Sequence, residues 1–163
     1  MSHKDGTAEG GCATRFGLLD TMPAADEQWT WQCDQVIPSN TAVGRQLLDD
    51  VLRQLETLHW GRHDIFGVHL AVDEALVNAI LHGNASDQRK HVRFSCRISP
   101  RKIRVEITDE GPGFDPDSLP DPTDAAHLNR PGGRGVMLMR AFMSRVEFRD
   151  RGNHVVLEME RRA

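Results

Sequence analysis

The chain has 163 residues, with 20 Lys and Arg set against 24 Asp and Glu, a net charge of -4 and a pI near 6.0. That balance excludes a general nucleic-acid binder, which gathers a basic surplus into a patch, while the length fits one domain with a real core. No run of about 18 consecutive apolar residues offers a membrane span, and the first residues lack the apolar centre of a secretory signal, so a cytoplasmic protein without a membrane partner is expected.

Residues 1–28 are rich in Gly, Ala, Thr and acidic residues without a sustained period and are expected to form a flexible tail before a single domain over 29–163. Trp29, Trp31 and Cys33 alternate with polar residues, which predicts a half-buried strand ending at Pro38. Ser39 or Asn40 then caps a helix whose apolar set, Val43, Leu47, Leu48, Val51, Leu52, Leu55 and Leu58, keeps helical spacing until Gly61 closes it. Cys12, Cys33 and Cys96 show no CxxC spacing and are expected to be reduced, and no metal site made of protein alone is expected.

A second helix begins near His63 or Asp64 and runs through LAVDEALVNAILHGN, Leu70 to Asn84. At about 100° per residue, Ile65, Val68, Val72, Leu76, Ala79 and Ile80 share an apolar face, and Glu74, Asn78 and His82 form a polar stripe at i, i+4 and i+8. Gly67 and Ala71 flank that stripe and predict free space above it. A carboxylate and an amide oxygen one turn apart suit a hydrated cation and an adjacent hydroxyl; an ordinary solvated helix face explains the same stripe.

Two alternating runs follow, Val92 to Ile98 and Ile103 to Ile107, joined by a turn over Ser99 to Lys102. Counting by two from Ile103 reaches Asp109, a carboxylate on the core side that either meets a donor or caps a turn. Beyond Gly111-Pro112-Gly113-Phe114, residues 115–131 hold four prolines and four aspartates with no hydrophobic period and predict a lid. It ends in Gly132-Gly133-Arg134-Gly135 before a helix bearing Val136, Leu138, Met139, Phe142 and Met143. Glycines at a helix start admit a close backbone approach to an anion, as a phosphate cradle requires, although many such loops are only turns. A strand with Val146 and Phe148, a turn over Asp150 to Asn153 and a strand with Val155, Leu157 and Met159 complete the chain.

Glu74 and Asn78 on a helix, Asp109-x-Gly111-x-Gly113-Phe114 after a strand, and Gly133-x-Gly135 at a helix start stand in an order that resembles the GHKL ATPases. More narrowly, the chain is similar to the bacterial anti-sigma factor serine kinases over about residues 29–160. The resemblance implies an α/β two-layer sandwich, a mixed, mostly antiparallel sheet covered on one face by helices, with ATP and Mg²⁺ as cofactors. It implies that Asp109 accepts a hydrogen bond from the adenine amine, that Gly111 and Gly113 turn close to the base with Phe114 beside them, and that Asn78 binds Mg²⁺. Glu74 would orient or deprotonate the attacking hydroxyl. Gly133, Gly135 and Val136 would offer amides to the phosphates, with Arg130 and Arg134 adding charge. His82 is read as structural and Arg45 as a surface or partner-binding residue.

The function implied is an ATP-dependent protein serine kinase and anti-sigma factor that sequesters a sigma factor and phosphorylates a STAS-type antagonist, with a homodimer as the suggested assembly. A nucleotide-binding regulator acting through partner contacts without kinase activity is the alternative. A complete sensor histidine kinase is not expected, because the ~60-residue helical hairpin it requires has no place in the chain.

Overall fold

The computed structural model describes residues 28–118 and 133–162. Five strands, β1 (Trp31–Pro38), β2 (His91–Ile98), β3 (Lys102–Thr108), β4 (Arg145–Arg149) and β5 (His154–Glu160), form one sheet in the order β1-β2-β3-β5-β4. All four pairings are antiparallel. Three helices, α1 (Thr41–Thr57), α2 (Arg62–Val77) and α3 (Gly133–Phe142), cover one face. The inward parity of the strands is that of the sequence: Phe94, Cys96, Ile98, Ile103, Val105, Ile107, Val155, Leu157 and Met159 are buried with Leu48, Val51, Leu55, Val68, Val72 and Ile80 of the helical layer. The two-layer sandwich implied by the resemblance is the architecture observed, with every pairing among the described strands antiparallel where a mixed, mostly antiparallel sheet was expected.

Local chemistry sets the boundaries. Asn40, not Ser39, caps α1 by accepting from the N–H groups of Ala42 and Val43 at 2.9 and 3.3 Å. Gly61 does not close that helix: α1 ends at Thr57, His59 takes the left-handed turn at φ 56°, and Trp60 N–H returns to the carbonyl of Leu55 at 3.0 Å. Gly61 instead is the N-cap of α2. Trp29 lies before β1, which starts at Trp31. Ser99 closes the β2–β3 turn, its hydroxyl accepting from Lys102 N–H at 2.9 Å.

The space predicted beside Gly67 is filled. A Cβ there would come within 3.0 Å of Phe142 and 3.1 Å of Met159, so Gly67 serves the close packing of α3 and β5 on α2. The helix also departs from 100° spacing. From Asn78 to Gly83 it widens into a π-turn, with Asn84 N–H bonded to the carbonyl of Ala79, five residues back, at 2.8 Å. The 22 residues Arg62–Gly83 are long and apolar enough, by length and composition, to cross a membrane, although charged and polar residues interrupt them. Here Val68, Ala71, Val72, Ala75, Leu76, Ala79 and Ile80 are packed in the core instead. The flexible tail expected over 1–28 falls almost wholly outside the described residues, as does the lid from residue 119 onward; Pro116–Ser118 form a 3₁₀ turn.

Candidate functional site

A cavity of about 230 Å³ opens between the end of α2, its π-turn, β3, β5 and α3, with Ala79, Ile107, Met139 and Val155 among its apolar walls and Asn78, Asp109 and Asn153 among its polar ones. Asp109 follows β3, and its main chain is tied to the start of β5. Its N–H donates to the carbonyl of Asn153 at 2.9 Å, and Asn153 Nδ2 donates to its carbonyl at 2.9 Å. Its Oδ1 accepts from Gly111 N–H at 2.7 Å. The carboxylate therefore closes a turn, and Asp109 also lines the cavity with acceptor sites to spare. Burial pushes its pKa above the usual carboxylate value.

Gly83 presses on that carboxyl so closely that a Cβ would lie 2.3 Å from Asp109 Cγ, and a Cβ on Gly111 would lie 2.0 Å from the carbonyl oxygen of Gly83. Neighbouring Asn84, fully buried, locks the same two segments together. Its Oδ1 accepts from Glu110 N–H at 2.8 Å, and its Nδ2 donates to Ser39 Oγ and to the carbonyl of His91, each at 2.9 Å. His91 N–H donates in turn to the Glu110 carboxylate. The loop after Asp109 is held from the other side by backbone packed on backbone. Gly113, at φ 77°, leaves no room for a Cβ beside the carbonyl of Arg151, and Gly152, at φ 86°, leaves none beside that of Phe114. The Phe114 ring meets Phe148 edge-on at 5.1 Å.

At the other end, Asn78 lines the cavity, and its side chain is near enough to Glu74 to favour the charged form of that carboxyl. Glu74 is not part of the cavity wall. It lies against the first turn of α3, where a Cβ on Gly135 would sit 2.0 Å from its Oε1; N–H groups in a first helical turn have no intrahelical acceptor. Burial, followed by the charge of Asp73, pushes the Glu74 pKa up against the opposing pull of His82 and Asn78.

The structure thus brings Asn78, Asp109, Gly113, Phe114 and Val136 to one cavity, with Gly111 behind Asp109 and Glu74 and Gly135 packed together beyond Asn78. Arg134 is exposed, Gly133 starts α3, and Arg130 lies outside the described residues. Sequence reasoning missed Gly83, Asn84 and Asn153; His82, read as structural, borders the cavity. Gly83 and Asn84 directly follow the polar stripe, so the stripe itself was the signal; Asn153 looked like any turn residue. Among the described residues no cluster of three or more His, Cys, Asp or Glu could hold a metal ion. Asn78 and Glu74 fit Mg²⁺ only in the manner that ion favours with nucleotides, where one or two side chains share it with phosphates and water.

A family model described as the histidine kinase-like ATPase domain matches residues 37–159. The serine/threonine-protein kinase BtrW of Bordetella bronchiseptica is 32% identical over 102 residues, covering 60% of this chain and 72% of the relative. An anti-sigma F factor of Oceanobacillus iheyensis is 28% identical over 114 residues, covering 68% and 75%. Among solved structures, the RsbU and RsbW domains of Rv1364c from Mycobacterium tuberculosis superpose with a TM-score of 0.54 at 16% identity. That match spans 82% of this chain and 32% of the other, and it speaks for the fold alone. The family match runs from the end of β1 to the end of β5 and so takes in every wall of the cavity. With that fold and that match, the chain belongs to the histidine kinase-like ATPase domain family.

Proposed function

We propose that this protein is an ATP-dependent protein serine kinase and anti-sigma factor, which holds a sigma factor inactive and phosphorylates a serine on a STAS-type antagonist. The observation that carries the reading is one cavity lined by a half-buried carboxylate, Asp109, and by Asn78, with Glu74 outside its wall against the first turn of α3, in a chain similar to a serine/threonine kinase and to anti-sigma F factors.

Asp109 accepts from the adenine amine, and the apolar walls hold the base. The close turns at Gly111 and Gly113 keep Asp109 in place, and Phe114 covers the loop side. Gly133, Gly135 and Val136 present first-turn amides of α3 to the phosphates, favoured by the helix dipole; Arg134 and Arg130 add positive charge. The Asn78 side-chain oxygen would hold Mg²⁺ together with the phosphates, and the ion would supply charge neutralisation on the transferred group. Glu74 orients the attacking serine hydroxyl and takes its proton as the oxygen–phosphorus bond forms and ADP leaves. Most of the rate comes from placement and electrostatics. A cytoplasmic homodimer is the expected setting.

Incubation with labelled ATP, Mg²⁺ and a STAS-domain antagonist tests the reading. Label is expected on an antagonist serine. ATP binding without transfer to any serine would instead make the protein a nucleotide-binding regulator that works by partner contacts.

A further inference from the structure

α2 carries apolar side chains on nearly every side, and a helix of that kind belongs inside a core. One side of it is nevertheless uncovered. Phe66, Leu70, Val77 and Leu81 recur at helical spacing from the first turns of α2 into the π-turn and stand in one outward row. Five large apolar side chains are exposed among the described residues, and three of them are here: Phe66 at 53% and Leu81 at 42% in the row, and Met137 at 42% on α3. The contacts of Gly67 with Phe142 and of Gly135 with Glu74 set α3 antiparallel beside α2, which brings Met137 level with the middle of the row. Phe66 is braced by Phe142, ring edge to face at 5.9 Å. Exposed apolar side chains gathered in one place mark a surface that another molecule covers.

Glu74 stands between this row and the cavity. One turn away on one side are buried Ala71 and cavity-lining Asn78; one turn away on the other are half-buried Leu70 and Val77. The Glu74 side chain is itself half-buried and yet outside the cavity wall, so the surface it retains opens on the outward side. A protein serine that reaches Glu74 from solvent therefore brings its flanking surface down on Leu70, Val77 and Met137. The charges at the margin favour an acidic visitor. Arg62 at the start of the row and Arg140 beside Met137 are exposed and form no ion pair among the described residues, and Asp73 is the one acid along the row.

We propose that this row, with Met137, is the docking surface for the phospho-acceptor protein, which meets it with apolar side chains beside the serine and acidic ones at the margin. The proposal rests on the kinase reading above and adds to it the surface that selects the protein substrate.

Steady-state transfer from ATP to the STAS-type antagonist by the full chain, compared with the double variant Phe66→Gln, Leu81→Gln, tests this. The variant is expected to raise the KM for the antagonist by about tenfold or more, as loss of central apolar contacts does, with kcat and the calorimetric affinity for ATP unchanged, because docking holds bound substrate and transition state alike. An unchanged KM in the folded variant overturns the proposal. Hydroxyl-radical labelling of wild-type protein gives a second measure that does not depend on a variant folding. Saturating antagonist is expected to suppress labelling of Phe66 and Met137 and to leave Val36, 63% exposed on the edge strand β1, as it was. Equal labelling of Phe66 and Met137 with and without antagonist overturns the proposal. So does suppression that follows the concentration of this protein alone, the signature of a second copy on the row. Wild-type protein that binds ATP and moves no label to the antagonist is a distinct result, which removes the kinase reading itself and this proposal with it.

Discussion

Gly135 and Glu74 show how one hydrogen atom in place of a methyl group sets a chemical arrangement. A Cβ at Gly135 would overlap the Glu74 carboxylate, the mobile end of a flexible side chain, so Gly135→Ala is expected to push Glu74 aside and leave the fold intact. Alanine also favours a helix over glycine by about 1 kcal/mol. The variant should therefore melt no lower than wild type and transfer phosphate at least tenfold more slowly; a stable variant with full transfer would show that Glu74 need not lie there. Glu74→Gln removes the proposed base without the shape, and it is expected to spare ATP binding in calorimetry while costing about a hundredfold or more in the transfer rate. Burial raises the Glu74 pKa, so the proton acceptor is lost as pH falls through that raised value, and the rate should decline on the acid side. Its effect on stability has the opposite sense. The folded protein binds this proton more tightly than the unfolded chain, so the contribution is present at acid pH and disappears as pH rises through the folded value.

The π-turn and the segment after β3 form a unit that no single residue defines. From a fully buried position Asn84 bonds Glu110 N–H, Ser39 Oγ and the His91 carbonyl. Asn84→Ala removes all three bonds, although Ser39 Oγ keeps its bond to the Lys90 carbonyl, and is expected to cost about 2–4 kcal/mol in denaturant unfolding. Because the same clasp fixes the chain around Asp109, nucleotide affinity should fall with it. Gly111→Ala acts on the same unit through sterics. The atom in its way is the backbone carbonyl of Gly83, which cannot swing clear, so a loss of about 1–3 kcal/mol is expected. A fixed angular step per residue revealed Glu74 and Asn78 because α2 is regular as far as Val77. It could not reveal the widening that begins at Asn78, for which five-residue hydrogen bonds leave no hydrophobic signature.

Across the whole molecule, the sheet face away from the helices is a lattice of cross-strand charges. Glu158 gathers Lys102, Arg104 and Arg145, and Glu106 gathers Arg104 and His154. Beneath them Val156 is fully buried although it points away from the core. The hydrogen bond from His154, followed by those from Arg104, holds the Glu106 pKa down to about 2. A carboxylate depressed in the fold contributes stability above its unfolded value of about 4.5, and that contribution is lost as pH falls toward about 2. Glu106→Gln is expected to cost about 1–2 kcal/mol near neutral pH, allowing for partial exposure, and the gap from wild type should close in acid unfolding measurements.

The strands were legible because they alternate strictly, and the sandwich they form was implied by the family resemblance that the three motifs carry. Phe94, Val105 and Leu157 all fall on the expected face. The far half of the site was not legible, since Gly83, Asn84 and Asn153 act through contacts between segments distant in the chain, which no local spacing encodes. Gly67 misled for the same reason: its empty side chain is answered by Phe142 and Met159, far along the chain.

The strand order carries a consequence for synthesis. β5 comes after β4 in the chain yet sits between β3 and β4, and Arg162 N–H beyond it reaches Asp64 at the start of α2. A chain still emerging from the ribosome can fold its helices and first hairpin, but it exposes the bare edge of β3 and lacks the cavity wall at Asn153 and Val155. The capacity to hold a nucleotide therefore arrives late, with the last strand, and a prematurely halted product would be both inert and prone to pair with its neighbours.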